Sequence, residues 1–222
     1  MKPAPFFYHR VQTVSELIVL KAQLGDTAVI LAGGQSLVPM LTLRLSRPEH
    51  VIDINDVVEM DHILLEQEGL RIGALVRHQR VSESPVVMAH LPLLSRMASG
   101  IGHYAIRQRG TIGGSLVLAD PAAHMPVAAL LFDARLVLRS PRGVRNMSYR
   151  SLYRSPLHCV LDQDEVVVSV RIPPQPNHMK AAVEIFHAVS GSFPDLICAA
   201  RSVFDERGRV SALTVVVSGG AV

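Results

Sequence analysis

The sequence is poor in cysteine, holding only Cys159 and Cys198. Two thiols do not build the disulfide framework that staples small secreted domains. Nor can they carry an iron–sulfur cluster, which takes about four thiolates. Any iron–sulfur centre that takes part in the chemistry must therefore sit on another chain. Long apolar runs are missing as well, since none approaches the ~20 residues of a membrane span. The first residues, MKPAPFFYHR, lack the apolar centre of a signal peptide. A cytoplasmic location is expected. Between Arg135 and Arg154 there is no acidic residue, while Arg135, Arg139, Arg142, Arg145, Arg150 and Arg154 crowd the same stretch. Two readings stay open: a docking face for an acidic partner or a phosphate, and a solvated β-hairpin with arginines on its open face. The net charge of +3 is too small to imply a nucleic-acid partner.

Familiar catalytic and nucleotide signatures are also absent. There is no G-x-G-x-x-G and no G-x-x-x-x-G-K-[ST], which disfavours a Rossmann dinucleotide site and an ATPase. H-E-x-x-H, G-x-S-x-G and Cys-x-x-Cys are missing. The histidines, His103, His124 and His187 among them, lack metal-ligand spacing, so no metal is expected.

The chain does have enough apolar residues for a substantial core, 49% of 222. Thr13-Val14-Ser15-Glu16 has capping-box spacing and opens a helix through Leu17, Leu20, Lys21 and Leu24, which Gly25 ends. Ala28–Ala32 and Val51–Ile54 read as strands. Ile63–Ala74 reads as a hairpin turning at Glu68-Gly69. Leu91–Gly100 and Pro126–Phe132 read as helices, and Leu136–Leu138 and Val166–Val170 as strands. Pro173-Pro174-Gln175-Pro176 marks a boundary. Strand-like runs around Val183–Val189 and Leu213–Val217 follow, with Leu196–Phe204 between them. Mixed helix and strand throughout predicts an α+β protein.

Two glycine pairs carry the chemistry. Ala32-Gly33-Gly34-Gln35-Ser36 follows a strand and leads towards a helix. Gly110-Thr111-Ile112-Gly113-Gly114-Ser115 adds two hydroxyls. Glycine lets another group approach the backbone closely, and free N–H groups at such turns form an anion nest. The expectation is a diphosphate between two such loops, held by backbone donors from each.

These stretches carry a resemblance. Leu31–Leu41 with Val51-Ile52-Asp53-Ile54-Asn55, and Ile106–Leu116 with Ala119-Asp120-Pro121-Ala122-Ala123, resemble the FAD-binding medium subunit of carbon monoxide dehydrogenase and xanthine dehydrogenase-type molybdenum hydroxylases. Arg71–Ala74 and Val170–Pro173 match too, so the resemblance spans essentially the whole chain. It implies a two-lobed FAD-binding domain of the vanillyl-alcohol-oxidase (PCMH) type. The expected lobes are residues 1–55 and 56–173, followed by a truncated, β-rich C-terminal domain over 177–222. It implies FAD as cofactor, with a molybdenum-cofactor large subunit and a [2Fe–2S] small subunit as partners. The implied role is an oxidoreductase subunit passing electrons from those clusters to an external acceptor. Carried over by position, Ala32, Gly33, Gly34, Gln35 and Ser36 line the diphosphate. Thr111, Gly114 and Ser115 do so from the second lobe, with Val117 and Asp120 nearby and Phe193 near the flavin ring.

The sequence departs from that family in places. His124 stands where an acidic residue accepts hydrogen bonds from the ribityl chain, and neutral imidazole can still accept one. His103-Tyr104 replaces an Asp-Pro, and polar groups near Ile185, Ala188, Val189 and Ser192 are missing beside the expected ring site. Family members continue past residue 222 into a helical bundle. Without it, apolar sheet surface is exposed, which predicts oligomerisation or partner binding. The departures also motivate an alternative: a stand-alone flavoenzyme acting on a small molecule, or a flavin-free protein on the same scaffold.

Overall fold

The computed structural model describes residues 2–189 and 192–219, and its three main sheets occupy successive stretches of chain. The first stretch runs β1 (Phe7–Arg10), α1 (Val14–Leu24), β2 (Ala28–Leu31), α2 (Leu37–Thr42) and β3 (His50–Asp53). Its strands form a parallel sheet in the order β1-β3-β2. Helix α1 begins as its sequence requires. The Thr13 side chain accepts from the Glu16 N–H, and the Glu16 carboxylate accepts from the Thr13 N–H. Gly25, at φ +53°, ends it in a conformation that L residues resist, and Lys21 donates to the Gly25 carbonyl beyond the last turn. The apolar face of α1, Val14, Leu17 and Ile18, is buried. It packs against β3 and also against two strands of the second sheet.

The second stretch supplies β4 (Ile63–Glu66) and β5 (Gly69–Gly73), then a run of short helices: α3 (His78–Glu83), α4 (Pro85–His90), α5 (Pro92–Ser99), α6 (Tyr104–Arg109), α7 (Ile112–Leu118) and α8 (His124–Leu131). After them come β6 (Arg135–Ser140), β7 (Gly143–Ser148), α9 (Tyr149–Leu152), the small ribbon β8 (Tyr153–Ser155) and β9 (His158–Cys159), and β10 (Val166–Ile172). The sheet order is β4-β5-β10-β6-β7. Central β10 is buried at nearly every position, which explains why VVVSVRI shows no alternation: both faces are covered. Helix α8 is buried on almost all sides, and Pro126 in its first turn costs no helical hydrogen bond.

The third stretch forms an antiparallel sheet of β11 (Met179–Phe186), β12 (Leu196–Phe204) and β13 (Val210–Ser218). Val183, Ile197, Ala199 and Val216 are buried on its inner side, where β12 and β13 pack on α8. The alternate positions Phe186, Leu196, Cys198, Leu213, Val215 and Val217 are exposed, so the outer face of this sheet is apolar and uncovered.

Of the arginine-rich stretch, Arg135, Arg139, Arg142 and Arg145 lie on the β6–β7 hairpin, whereas Arg150 lies in α9 and Arg154 in β8. Arg142 pairs with Asp162 and Asp164, and Arg145 forks onto Glu165, whose side chain is 3% exposed. Burial alone would raise the Glu165 pKa; the fork, the Asp162 N–H and nearby arginine charge outweigh it and hold the carboxyl below its ordinary range. The solvated-hairpin reading therefore accounts for Arg142 and Arg145.

Candidate functional site

The first glycine loop leaves β2 and enters α2; the second links α6 to α7. The loops meet directly. A Cβ on Gly33 would stand 2.2 Å from the Arg109 carbonyl oxygen and 2.9 Å from Gly110 Cα, so only glycine allows this approach. A hydrogen-bonded chain holds the junction. The Tyr8 hydroxyl donates to Asp53 Oδ2 at 2.5 Å. Asp53 Oδ1 accepts from the Asn55 N–H and side-chain amide. That amide also donates to the Ala32 carbonyl at 2.9 Å. Arg77, from the other side, donates to Asn55 Oδ1 at 2.6 Å and to the Arg109 carbonyl at 2.8 Å. Both loops are thus tied to one guanidinium. Burial, then the nearby Arg109 charge, lowers the Arg77 pKa. Burial pushes Asp53 up, but the hydrogen bonds from Tyr8 and Asn55 outweigh it and keep the carboxyl below its usual range.

The two loops differ in what they offer an anion. Among the described residues, the N–H groups of Gly33, Gly34, Gln35 and Ser36 find no acceptor. Gly34 holds φ +73°, a left-handed value that presents successive N–H groups to one side. The second loop does not repeat this, which corrects the expectation of free backbone donors on both sides. The Ile112 N–H goes to the Val76 carbonyl and the Gly113 N–H to the Ala74 carbonyl. The Gly114 N–H goes to Thr111 Oγ1 at 3.1 Å, and the Ser115 N–H to the Thr111 carbonyl. The glycines serve packing: a Cβ on Gly113 would lie 2.5 Å from Ala74 Cβ, and one on Gly114 2.9 Å from Thr111 Oγ1. What remains on this side for an anion is mainly hydroxyl chemistry.

Between the loops lies a cleft of about 720 Å³, within the roughly 300–1,000 Å³ usual for cofactor sites. Every residue carried over from the resemblance lines it: Ala32, Gly33, Gly34, Gln35, Ser36, Thr111, Gly114, Ser115, Val117, Asp120, His124 and Phe193. No lysine or arginine does, among the described residues. Phe193 is 71% exposed, so it is a rim residue rather than core packing. His124 points inward and is buried. Its Nδ1 donates to the Met97 carbonyl at 2.8 Å, which leaves Nε2 as an acceptor in the neutral ring. Burial lowers its pKa, against the raising effect of that bond, and His187 lowers it further. Asp120 spends Oδ1 on the Ala122 N–H. His103 and Ser192 line the cleft, whereas Ile185 and Val189 do not.

The sequence reading passed over His78, which is buried and lines the cleft, and Arg77. It also passed over the short helices α3, α4 and α6. The adjacency of His78 to the glycine motif exists only in space.

No group of three or more metal-ligating side chains occurs among the described residues, and no helix among them is long and apolar enough to cross a membrane. A deep, largely apolar cleft with an anion nest on one wall and hydroxyls on the other is the site of an extended, phosphate-bearing cofactor. The family described as the FAD-binding domain in molybdopterin dehydrogenase matches residues 4–175. The chain belongs to that family, and FAD is its cofactor. Subunit alpha of the 6-hydroxypseudooxynicotine dehydrogenase complex of Paenarthrobacter nicotinovorans is 39% identical over 220 residues, covering 99% of this chain and 74% of that protein. The carbon monoxide dehydrogenase medium chain of Hydrogenophaga pseudoflava is 38% identical over 173 residues, 78% of this chain and 60% of that one. The solved carbon monoxide dehydrogenase of Hydrogenophaga pseudoflava, lacking the Mo-pyranopterin moiety of its cofactor, superposes with a TM-score of 0.93 at 34% identity, over 98% of this chain and 76% of that chain. These relatives are named dehydrogenases, so the chain belongs with oxidoreductases.

Proposed function

We propose that this chain is the electron-transfer subunit of a cytoplasmic molybdenum hydroxylase, working with a molybdenum-cofactor large subunit and a [2Fe–2S] small subunit. Residues 1–55 and 56–173 are the two lobes on the cofactor, and 177–222 are part of a C-terminal domain. The observation that carries this reading is the row of N–H groups from Gly33 to Ser36, unpartnered among the described residues, on the wall of the cleft. FAD, held by these residues, would supply the redox chemistry between the partner clusters and an external acceptor.

The chain's own residues bind and orient. The Gly33–Ser36 backbone holds the diphosphate; the Thr111 and Ser115 hydroxyls add contacts from the far wall. Asp120 and the neutral His124 accept hydrogen bonds from hydroxyls of the cofactor chain. Val117 and Phe193 cover apolar surface and exclude water. The exposed outer face of the third sheet supports burial of that face in an assembled protein.

An absorbance spectrum of the chain purified with added FAD tests this. Flavin bands that survive desalting are expected, with no oxidation of an organic substrate by the chain alone and cofactor reduction once the reduced iron–sulfur partner is added. A colourless protein would overturn the reading. Robust substrate turnover by the isolated chain would instead point to a stand-alone flavoenzyme.

A further inference from the structure

His78 opens α3 and is only 5% exposed. Its Nδ1 is enclosed and has no hydrogen-bond partner among the described residues. The opposite edge of the ring lies against Gly110, where a Cβ would come within 2.8 Å of Cδ2 and 3.2 Å of Nε2, and the residue lines the cleft. Gly110 is also the residue against which Gly33 packs. The imidazole therefore sits where the two glycine loops meet, with Nε2 on its accessible edge.

A neutral imidazole carries one N–H. A proton on Nδ1 would be a buried donor with nothing to accept it, while the Nε2 lone pair would face an anion. With the proton on Nε2, the buried atom keeps only a lone pair and the donor faces the cleft. On the second wall the N–H groups of Ile112, Gly113, Gly114 and Ser115 are already spent, which leaves the Thr111 N–H and the hydroxyls, and a donor on His78 would add to these. We infer that His78 binds the cofactor, donating from Nε2 to a phosphate oxygen at the junction of the loops. The inference rests on the FAD reading above and adds a residue to it.

The surroundings keep the ring neutral. Burial lowers its pKa to about 4, and the ionisable groups it faces, His124 from α8 and its chain neighbour Arg77, oppose a positive charge there as well. Among the described residues, no carboxylate is hydrogen-bonded to the ring. An enclosed polar atom without a partner weakens a fold, so a position that keeps one is carrying something other than stability.

The test uses the full chain with ¹⁵N-labelled histidine. The His78 signals are expected to show the Nε2-protonated tautomer. Nε2 is expected to shift on titration with FAD and with ADP, which carries the diphosphate, and to stay put with riboflavin, which does not. His78→Leu is expected to weaken FAD binding roughly 10- to 100-fold, the loss of a hydrogen bond to a charged acceptor. His78→Gln, whose amide can present a donor at the same place, is expected to recover most of it. The Leu variant is expected to unfold at higher temperature than the parent when FAD is absent, because the orphaned nitrogen is gone. Proton placement on Nδ1, a response to riboflavin but not ADP, or unchanged FAD affinity in His78→Leu would each overturn the inference. If His78→Leu does not fold, the tautomer and titrations of the parent chain decide alone. Failure of the parent to bind FAD would remove the cofactor reading itself, a different result from parent binding with an indifferent His78.

Discussion

Replacing Arg77 with methionine keeps most of the side chain's volume and removes the guanidinium that bonds the Arg109 carbonyl directly and reaches the Ala32 carbonyl through Asn55. Two hydrogen bonds vanish, to Asn55 Oδ1 at 2.6 Å and to the Arg109 carbonyl at 2.8 Å. A hydrogen bond from a charged donor contributes about 1.5–3 kcal/mol. The bond to Asn55 is partly buried, whereas the bond to the Arg109 carbonyl is exposed, so its share lies at or below the low end. Together they come to about 2–4 kcal/mol. Part of this appears as lost stability of the cofactor-free chain. The rest appears as lost affinity, because the loops are no longer held at the spacing FAD needs before it arrives. Urea unfolding of the cofactor-free chain and FAD titration by flavin fluorescence read the two shares separately. We expect a stability loss of about 1–3 kcal/mol and FAD binding weakened about tenfold. Arg77→Lys should recover only part, since an ammonium lacks the planar fork that reaches both acceptors. A double-mutant cycle with Asn55→Ala should show a coupling of about 1 kcal/mol or more. If Arg77→Met changes neither stability nor affinity, the guanidinium does not organise the cradle and the argument fails.

Gly33→Ala forces a methyl to 2.2 Å from a backbone oxygen, so the loops must separate; we expect at least a 100-fold loss of FAD affinity, measured by the same titration, with a cost in stability of about 3 kcal/mol. The stability of the cofactor-free chain should fall with acid. Unfolded His78 takes up a proton below about pH 6.5, whereas the folded residue resists until about 4, so its share of stability is whole above 6.5 and declines on the way down to 4. That gap is worth about 3 kcal/mol, and urea midpoints against pH for the parent and His78→Leu should differ in slope across this window; parallel curves would refute it. Arg145→Met strips the fork from the Glu165 carboxylate, whose side chain is 3% exposed, and leaves it only the Asp162 N–H and the more distant Arg142 charge. Because Arg145 is itself about half exposed, we expect about 2–4 kcal/mol of destabilisation by urea unfolding, relieved in Arg145→Met/Glu165→Gln.

The parts of this fold that were legible in the sequence are those whose causes are local. Thr13 and Glu16 cap α1 through atoms three residues apart, and Gly25 ends it through its own φ. The two glycine pairs announced the cleft, and the residues inferred around them line it. What escaped depends on contacts between distant positions. Gly113 and Gly114 looked like anion donors, yet Ala74 and Val76 claim the N–H groups of Gly113 and Ile112 from far along the chain, which leaves no local trace, while Thr111 caps Gly114 and Ser115 from within the motif itself. Helices α3, α4 and α6 have six residues each, fewer than two turns, so no period can establish itself. Arg77 and His78 belong to no motif in the sequence, and their place beside the glycine loops arises only from the fold.

An anion site lined by no lysine or arginine has little with which to attract its guest from afar. Free phosphate and simple nucleotides gain nothing there from charge alone, because the Gly33–Ser36 donors act only at hydrogen-bonding distance. Selectivity then falls to the length and shape of the whole cofactor. The affinity should depend only weakly on ionic strength, and a cofactor once seated should stay through changes of salt that would strip it from a cationic pocket.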